Sequence, residues 1–241
     1  MLDELEALIG YVLVVGGRAV GAPPPGALVE LPPKKPARGR ESDTFFALVT
    51  PTGAGQAQAP FYEALAKLAA ELYFQSGGGV TSGLRESITG VNTHLLEYAQ
   101  DAGQRIEANA ILMVLRGHEI FVGRAGACIA LLRQGDSFVT FPTDLGDEYA
   151  INALPLGYSP SPDLKLTHYD IAAGHVLVLA DSSFAPLDPA ALHTALSQPD
   201  MQAILDPVKT IATTAKNAQA MVIQFVTTDT PDPVIQTPQP G

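Results

Sequence analysis

The chain has 241 residues and a mass of 25.3 kDa. Its 25 acids against 14 bases give a formal net charge of −11, which argues against a surface built to neutralise nucleic-acid phosphates or an anionic membrane face. An apolar fraction of 46% beside 16% charged residues is the composition of a folded chain. Cys128 is the single cysteine, so neither an intrachain disulfide nor a thiolate zinc site can form. The acidic start, Met-Leu-Asp-Glu-Leu-Glu, lacks the positive charge of a secretory signal. No apolar run reaches the roughly 20 residues of a membrane helix. These features lead us to expect a cytoplasmic protein with no nucleic-acid or membrane partner. We divide it into an N-terminal segment over 1–9, one domain over 10–226 and a proline-rich tail over 227–241.

Residues 10–20 are apolar, β-branched and glycine-ended, and predict a strand. The proline-rich stretch over 22–37 predicts a surface loop. A buried strand is expected over 44–50, followed by a Gly/Ala/Gln loop over 51–59. Apolar residues at 61, 65, 68, 69 and 72 predict a helix over 61–74. Gly77, Gly78 and Gly79 break it. A second helix over about 81–102 presents Leu84, Ile88, Val91, Leu95 and Tyr98 on one face, with Thr81 as its N-cap. The sequence ELYFQS over 71–76 is like part of a protease-site tag, but its phase with the first helix marks it as native.

The period then changes. Strands are expected over 110–115, 119–123, 128–132, 137–141, 164–169 and 175–180, with hairpin turns at 116–118 and 134–136. Helices over 189–196 and 201–214 and a strand over 221–226 complete the domain. Hairpins mean antiparallel sheets, and two grouped helices mean a layer outside them. The fold class is α+β.

Several residue patterns invite a chemical reading. The glycines at 16, 17 and 21 are followed at once by Pro23, Pro24 and Pro25, where a dinucleotide fingerprint needs a helix. Gly53-Ala54-Gly55 offers backbone N–H groups before a helix but lacks the Lys-Ser/Thr of a phosphate loop. The five histidines are scattered, with no metal-pair spacing. Cys128 lies in an apolar strand, the setting of an inert thiol. No serine sits in a Gly-x-Ser-x-Gly elbow. Asp181 ends the run Val176-Leu177-Val178-Leu179-Ala180, a place that serves either a site at a sheet edge or a turn cap.

Taken in order, several phrases resemble the PP2C (PPM) family of metal-dependent serine/threonine phosphatases. Residues 38–46, RGRESDTFF, resemble the family's Arg-x-x-Asn-Glu-Asp-x-Phe opening. Residues 46–55 resemble the strand and loop that carry Asp-Gly-x-Gly-Gly. Residues 120–132 resemble the strand pair around Gly-Asp-Ser. GHVLVLADSSF over 174–184 resembles Gly-Asp-x-Leu-Leu-Leu-x-Ser-Asp-Gly-Leu, and Lys216-Asn217 resembles the closing Asp-Asn. The resemblance covers 10–226. It implies a four-layer α/β/β/α sandwich of two antiparallel sheets flanked by helices.

The resemblance also implies two divalent metals, Mn²⁺ or Mg²⁺, held by carboxylates around an activated water. Here the first Asp-Gly falls on Pro51-Thr52, the Asp of Gly-Asp-Ser on Ala127 and the closing Asp on Lys216. Asp43 and Asp181 remain. Neutral Pro and Thr cannot bridge metals, and a lysine would repel one by about 1–4 kcal/mol at contact. The expectation is a pseudophosphatase: no catalytic residue, no metal ligand set and no cofactor. Its vestigial cleft would be lined by Asp43, Thr52, Gly55, Asp181 and Lys216, and its role would be protein binding, scaffolding or regulation. The alternative is a divergent phosphatase holding Mn²⁺ or Mg²⁺ through Asp43, Asp181 and an acid from Asp144, Asp147 or Glu148. The tail reads as a linker to a further segment.

Overall fold

The computed structural model describes residues 5–55 and 57–227. Of the tail expected as a linker over 227–241, Thr227 belongs to the last strand and 228–241 lie outside the described residues. Gly16 and Gly17, both at positive φ, fold what reads as a single strand into a hairpin of β1 (Leu5–Val15) and β2 (Arg18–Val20). β1 begins at Leu5, five residues ahead of the expected start. Its first half turns Glu6 and Leu8 to water between the more buried Leu5, Ala7 and Ile9 and so lacks an apolar run. The proline-rich stretch is not all loop. β3 (Ala27–Glu30) sits inside it as an edge strand, where flanking prolines are tolerated.

β4 (Thr44–Thr52) runs two residues further than expected and takes in Pro51 and Thr52. α1 (Ala59–Gln75) and α2 (Val80–Ala102) follow. Gly79 is the N-cap of α2 and Thr81 lies inside the helix, a correction of two residues. β5 (Glu107–Arg116), β6 (Glu119–Ala125), β7 (Cys128–Gln134) and β8 (Ser137–Phe141) form the successive hairpins. A short helix, α3 (Glu148–Ile151), occupies the acidic loop. β9 (Lys165–Asp170), β10 (Val176–Asp181), α4 (Pro189–Leu196), α5 (Met201–Ala212) and β11 (Asn217–Thr227) complete the described chain.

One sheet has the order β2-β1-β11-β10-β7-β8 and the other β3-β4-β5-β6-β9, all antiparallel. Strand alternation sets the layers. In β4, Phe45, Ala47 and Val49 face α1 and α2, where they meet Leu65, Ala69, Tyr73, Leu84 and Ile88. Phe46 and Leu48 face the other sheet and pack with Met113, Val122, Leu179 and Ile223. The outer face of the first sheet carries Val12, Val14, Val178 and Val222 against Leu192, Ile204 and Val208 of α4 and α5. Every central strand is thus buried on both faces, which explains the near-continuous apolar runs. The architecture is the four-layer α/β/β/α sandwich that the resemblance implies. No helix among the described residues is long and apolar enough to cross a membrane.

Candidate functional site

One end of the sandwich gathers most of the positions singled out in the sequence. β4 and β10 end there, β5 and β11 begin there, and the β6–β7 turn closes it. Register fixes the neighbours: Thr50 lies opposite Asn109, Pro51 opposite Ala108, Thr52 opposite Glu107, and Cys128 opposite Asp181. Ala127, in the turn, donates its N–H to Asn109 Oδ1 at 3.0 Å, and its carbonyl accepts the Ser182 N–H at 3.0 Å. Gly126 has a positive φ, and a Cβ on it would lie 2.3 Å from Asn109 Oδ1, so only glycine lets the turn close on that side chain. Lys216 is exposed at the head of β11, and its carbonyl accepts the Gly17 N–H at 2.7 Å. A pocket of about 140 Å³ opens at this rim between Gly26, Val49, Pro51, Ala57, Tyr62 and Gln219.

Asp181 is the acid that remains at the rim among the family's expected ligand positions. Both of its oxygens are already engaged. Oδ1 accepts the Ser183 N–H at 3.0 Å and the Ser183 hydroxyl, and Oδ2 accepts the Gln219 N–H at 2.8 Å. Burial pushes its pKa up from the ordinary carboxylate value, and the bonds from Ser183 and Gln219 oppose that rise. Of the two roles open to it, turn capping is the one its bonds describe: it caps the short turn of helix over Ser182–Phe184 and pins the start of β11.

The structure corrects the place of Asp43. It precedes β4 by one residue, whereas Thr52 ends it, so the two stand roughly 30 Å apart along the strand. Asp43 lies in no cleft. It is wholly buried, and Arg116 grips it in a fork, Nε to Oδ1 at 2.6 Å and Nη2 to Oδ2 at 2.7 Å. The Tyr73 hydroxyl donates to Oδ2 at 2.6 Å, and Arg40 Nη1 lies 3.8 Å from the same oxygen. Linear spacing suggested one cleft. The strand carries its two ends to opposite ends of the sandwich.

This second cluster was not legible as a unit. Arg40 is fully buried between the end of α1 and the start of α2. It donates to the Ser76 carbonyl at 3.4 Å, the Gly79 carbonyl at 3.0 Å and the Tyr73 hydroxyl at 2.8 Å. A Cβ on Gly83 would sit 2.4 Å from Arg40 Nη2, so the helix needs glycine there. Burial, then the bond to Asp43, pushes the Tyr73 phenol far above its ordinary pKa. The same carboxylate raises that of Arg116. Tyr73 and Ser76 belong to the ELYFQS stretch, which is therefore built into the core of the fold.

Other candidates resolve simply. Gly55 presses its backbone on the Arg105 carbonyl, 2.1 Å from where a Cβ would be, so its lack of a side chain serves packing. Cys128 is buried, and burial pushes its thiol pKa up, the opposite of an activated nucleophile. Asp144 turns back on the Gly146 N–H, and Asp147 caps α3 through the N–H groups of Tyr149 and Ala150. Glu107, a rim acid that the sequence reading did not single out, is paired with Arg105 at 3.0 Å. Its signal would have been its register opposite Thr52, which sequence alone does not supply.

A two-metal centre does not fit these residues. Hard divalent cations need several free carboxylate or carbonyl oxygens converging on one point. The rim offers Asp181 with both oxygens bonded, Glu107 paired to an arginine, and neutral Pro51, Thr52 and Ala127. Among the described residues no three His, Cys, Asp or Glu side chains are grouped closely enough to hold a metal.

No protein-family model and no curated protein matches the sequence. Solved structures do match. PppA of Pseudomonas aeruginosa, described as a key regulatory component of T6SS, aligns with a TM-score of 0.65 at 15% identity, over 93% of this chain and 99% of that one. A serine/threonine phosphatase of Staphylococcus aureus aligns with a TM-score of 0.65 at 11% identity, over 93% and 96%. The catalytic domain of the serine/threonine phosphatase PstP, solved with two manganese ions, aligns with a TM-score of 0.63 at 14% identity, over 92% and 99%. Element order, layer sequence and these alignments agree, and the chain has the PP2C fold of the PPM serine/threonine phosphatases.

Proposed function

We propose that this chain is a catalytically inactive PP2C-like domain whose role is protein binding and regulation. One observation carries the reading. Pro51, Thr52, Ala127 and Lys216 stand where the family resemblance expects acids, and the remaining Asp181 has both oxygens bonded, one by Ser183 and one by the Gln219 N–H. Phosphomonoester hydrolysis on this fold needs metals to activate water and to neutralise the phosphoryl oxygens. A rim whose two acids are already bonded to Ser183, Gln219 and Arg105 does neither. The regulatory side of the reading is supported by the fold shared with PppA, whose description is regulatory. A fold alone does not assign a role, so that support is analogy.

The test is turnover. The purified chain is assayed with p-nitrophenyl phosphate and with a phosphothreonine peptide, in millimolar Mn²⁺ and in Mg²⁺. The expected rate equals that of buffer with metal. Metal-dependent turnover abolished by Asp181→Ala would contradict the proposal and restore the divergent phosphatase reading.

A further inference from the structure

A second pocket, of about 560 Å³, lies away from the rim pocket and shares none of its lining residues. It opens where β9 begins and β8 ends, with α3 over one side and Arg85 of α2 reaching its edge. Its size falls in the range of small-molecule sites. Its charge is unusual for this molecule. Arg85, Arg124 and Lys165 line it with one acid, Asp163, so it is locally positive on a chain of net charge −11.

Arg124 makes the pocket more than a surface dimple. It is 2% exposed, and no carboxylate bonds it. Its Nη1 donates to the Cys128 carbonyl at 2.9 Å and its Nη2 to the Ala150 carbonyl, while its Nε has no hydrogen-bond partner. The guanidinium also lies 5.4 Å from the Phe141 ring centroid. Arg124 is buried without a direct ion pair: burial lowers its pKa, and the nearby Asp163 carboxylate offsets that only in part. Lys165 stands directly opposite Arg124 in the β6–β9 register, so the two side chains leave the same face of the sheet. Lys165 is exposed and tied to Asp163 at 2.8 Å. Arg85 is exposed and makes no ion pair among the described residues. Tyr149, 94% exposed on α3, also lines the pocket.

We propose that this pocket binds the phosphate of a phosphomonoester, with Arg124 at its floor and Arg85 and Lys165 at its mouth. Asp163 alone faces three cations here; a phosphomonoester dianion balances the rest, and its several acceptor oxygens suit two guanidinium groups and an ammonium. The shared chemistry has two sources, a free phosphorylated small molecule or a phosphorylated side chain of a protein. This site goes beyond the inactive-rim reading. It needs binding without turnover at a place that contains none of the rim residues, so either proposal can fail while the other stands.

The experiment is calorimetric titration of the whole chain with inorganic phosphate, with O-phosphoserine and with a phosphoserine peptide, at fixed ionic strength. Saturable binding is expected. It should weaken as pH falls below about 6, where the phosphate loses its second charge. The double variant Arg85→Ala, Lys165→Ala should bind about tenfold or more weakly with an unchanged melting temperature, because both side chains are exposed. Arg124 also ties two turns together, so the exposed pair carries the test. A peptide bound more tightly than O-phosphoserine would assign the ligand to a phosphorylated protein, and equal affinities would assign it to a small phosphomonoester. No saturable binding of any of the three probes, or equal binding by the double variant, overturns the proposal.

Discussion

The two ends of β4 carry opposite electrostatic designs. At one end Asp43, Arg40, Tyr73 and Arg116 form a buried charged network in which the carboxylate accepts three hydrogen bonds, from Tyr73 and the Arg116 fork. At the other end stand Pro51, Thr52, Ala127 and an Asp181 bonded by Ser183 and the Gln219 N–H. The first arrangement holds helices to sheet and buries its carboxylate completely. The second has the opening and lacks the charge. Acids in this fold therefore mark structure where they are fully partnered. At the described rim Asp181 has both oxygens bonded and Glu107 is paired through Oε1 with Arg105.

The comparison can be broken most sharply at Asp43. Asp43→Ala leaves Arg40 buried without a counter-charge, and a loss of about 3–5 kcal/mol is expected. Urea denaturation of the variant and parent measures it, and a loss below about 1 kcal/mol would mean that the network is dispensable. Tyr73→Phe removes one donor to Asp43 and one acceptor for Arg40 but leaves the Arg116 fork, so a smaller loss of about 1–3 kcal/mol is expected by the same measurement.

At the rim, Asp181→Asn replaces an acceptor-only group with one that can satisfy at most part of the same set, and about 1–2 kcal/mol should be lost. Its pH dependence has a definite sign. Burial raises the folded pKa of Asp181 above the unfolded value of 3.8, so the folded state holds the proton more tightly. Its contribution to stability is therefore largest below the unfolded value and falls as pH rises through the raised folded pKa. The stability gap between parent and Asp181→Asn should narrow as pH rises from 4, and a widening gap would show that the hydrogen bonds outweigh burial. Lys216→Asp touches an exposed side chain, and its melting curve should shift by no more than about half a kcal/mol.

Much of the sandwich was readable because doubly buried strands leave apolar runs and glycine turns punctuate them. The hairpins at Gly117 and Gly135 and the two helices around Gly77–Gly79 follow from that pattern. β3 was not readable, since four residues between prolines carry no periodicity of their own and become a strand only beside β4. The first turns of β11, Asn217-Ala218-Gln219-Ala220, are small and polar, and only pairing with β1 and β10 extends the strand back to them. Among the candidate site residues, Thr52 and Asp181 end strands and Ala127 lies in the turn between two, and such positions follow from the strand pattern. Asp43 was misplaced because proximity in sequence to a strand's start says nothing about its far end. Arg124, Arg40 and Tyr73 were missed because their partners lie at carbonyls and in neighbouring layers, which no local spacing encodes.

The central claim is that this rim cannot hold metal. Direct titration of Mn²⁺ into the chain, following free Mn²⁺ by its electron paramagnetic resonance signal, tests it with no assumption about substrate. The account predicts a free-metal signal that tracks the added Mn²⁺ up to millimolar concentration, identical in the parent and in Asp181→Asn. Two equivalents taken up by the parent and released by Asp181→Asn would contradict it.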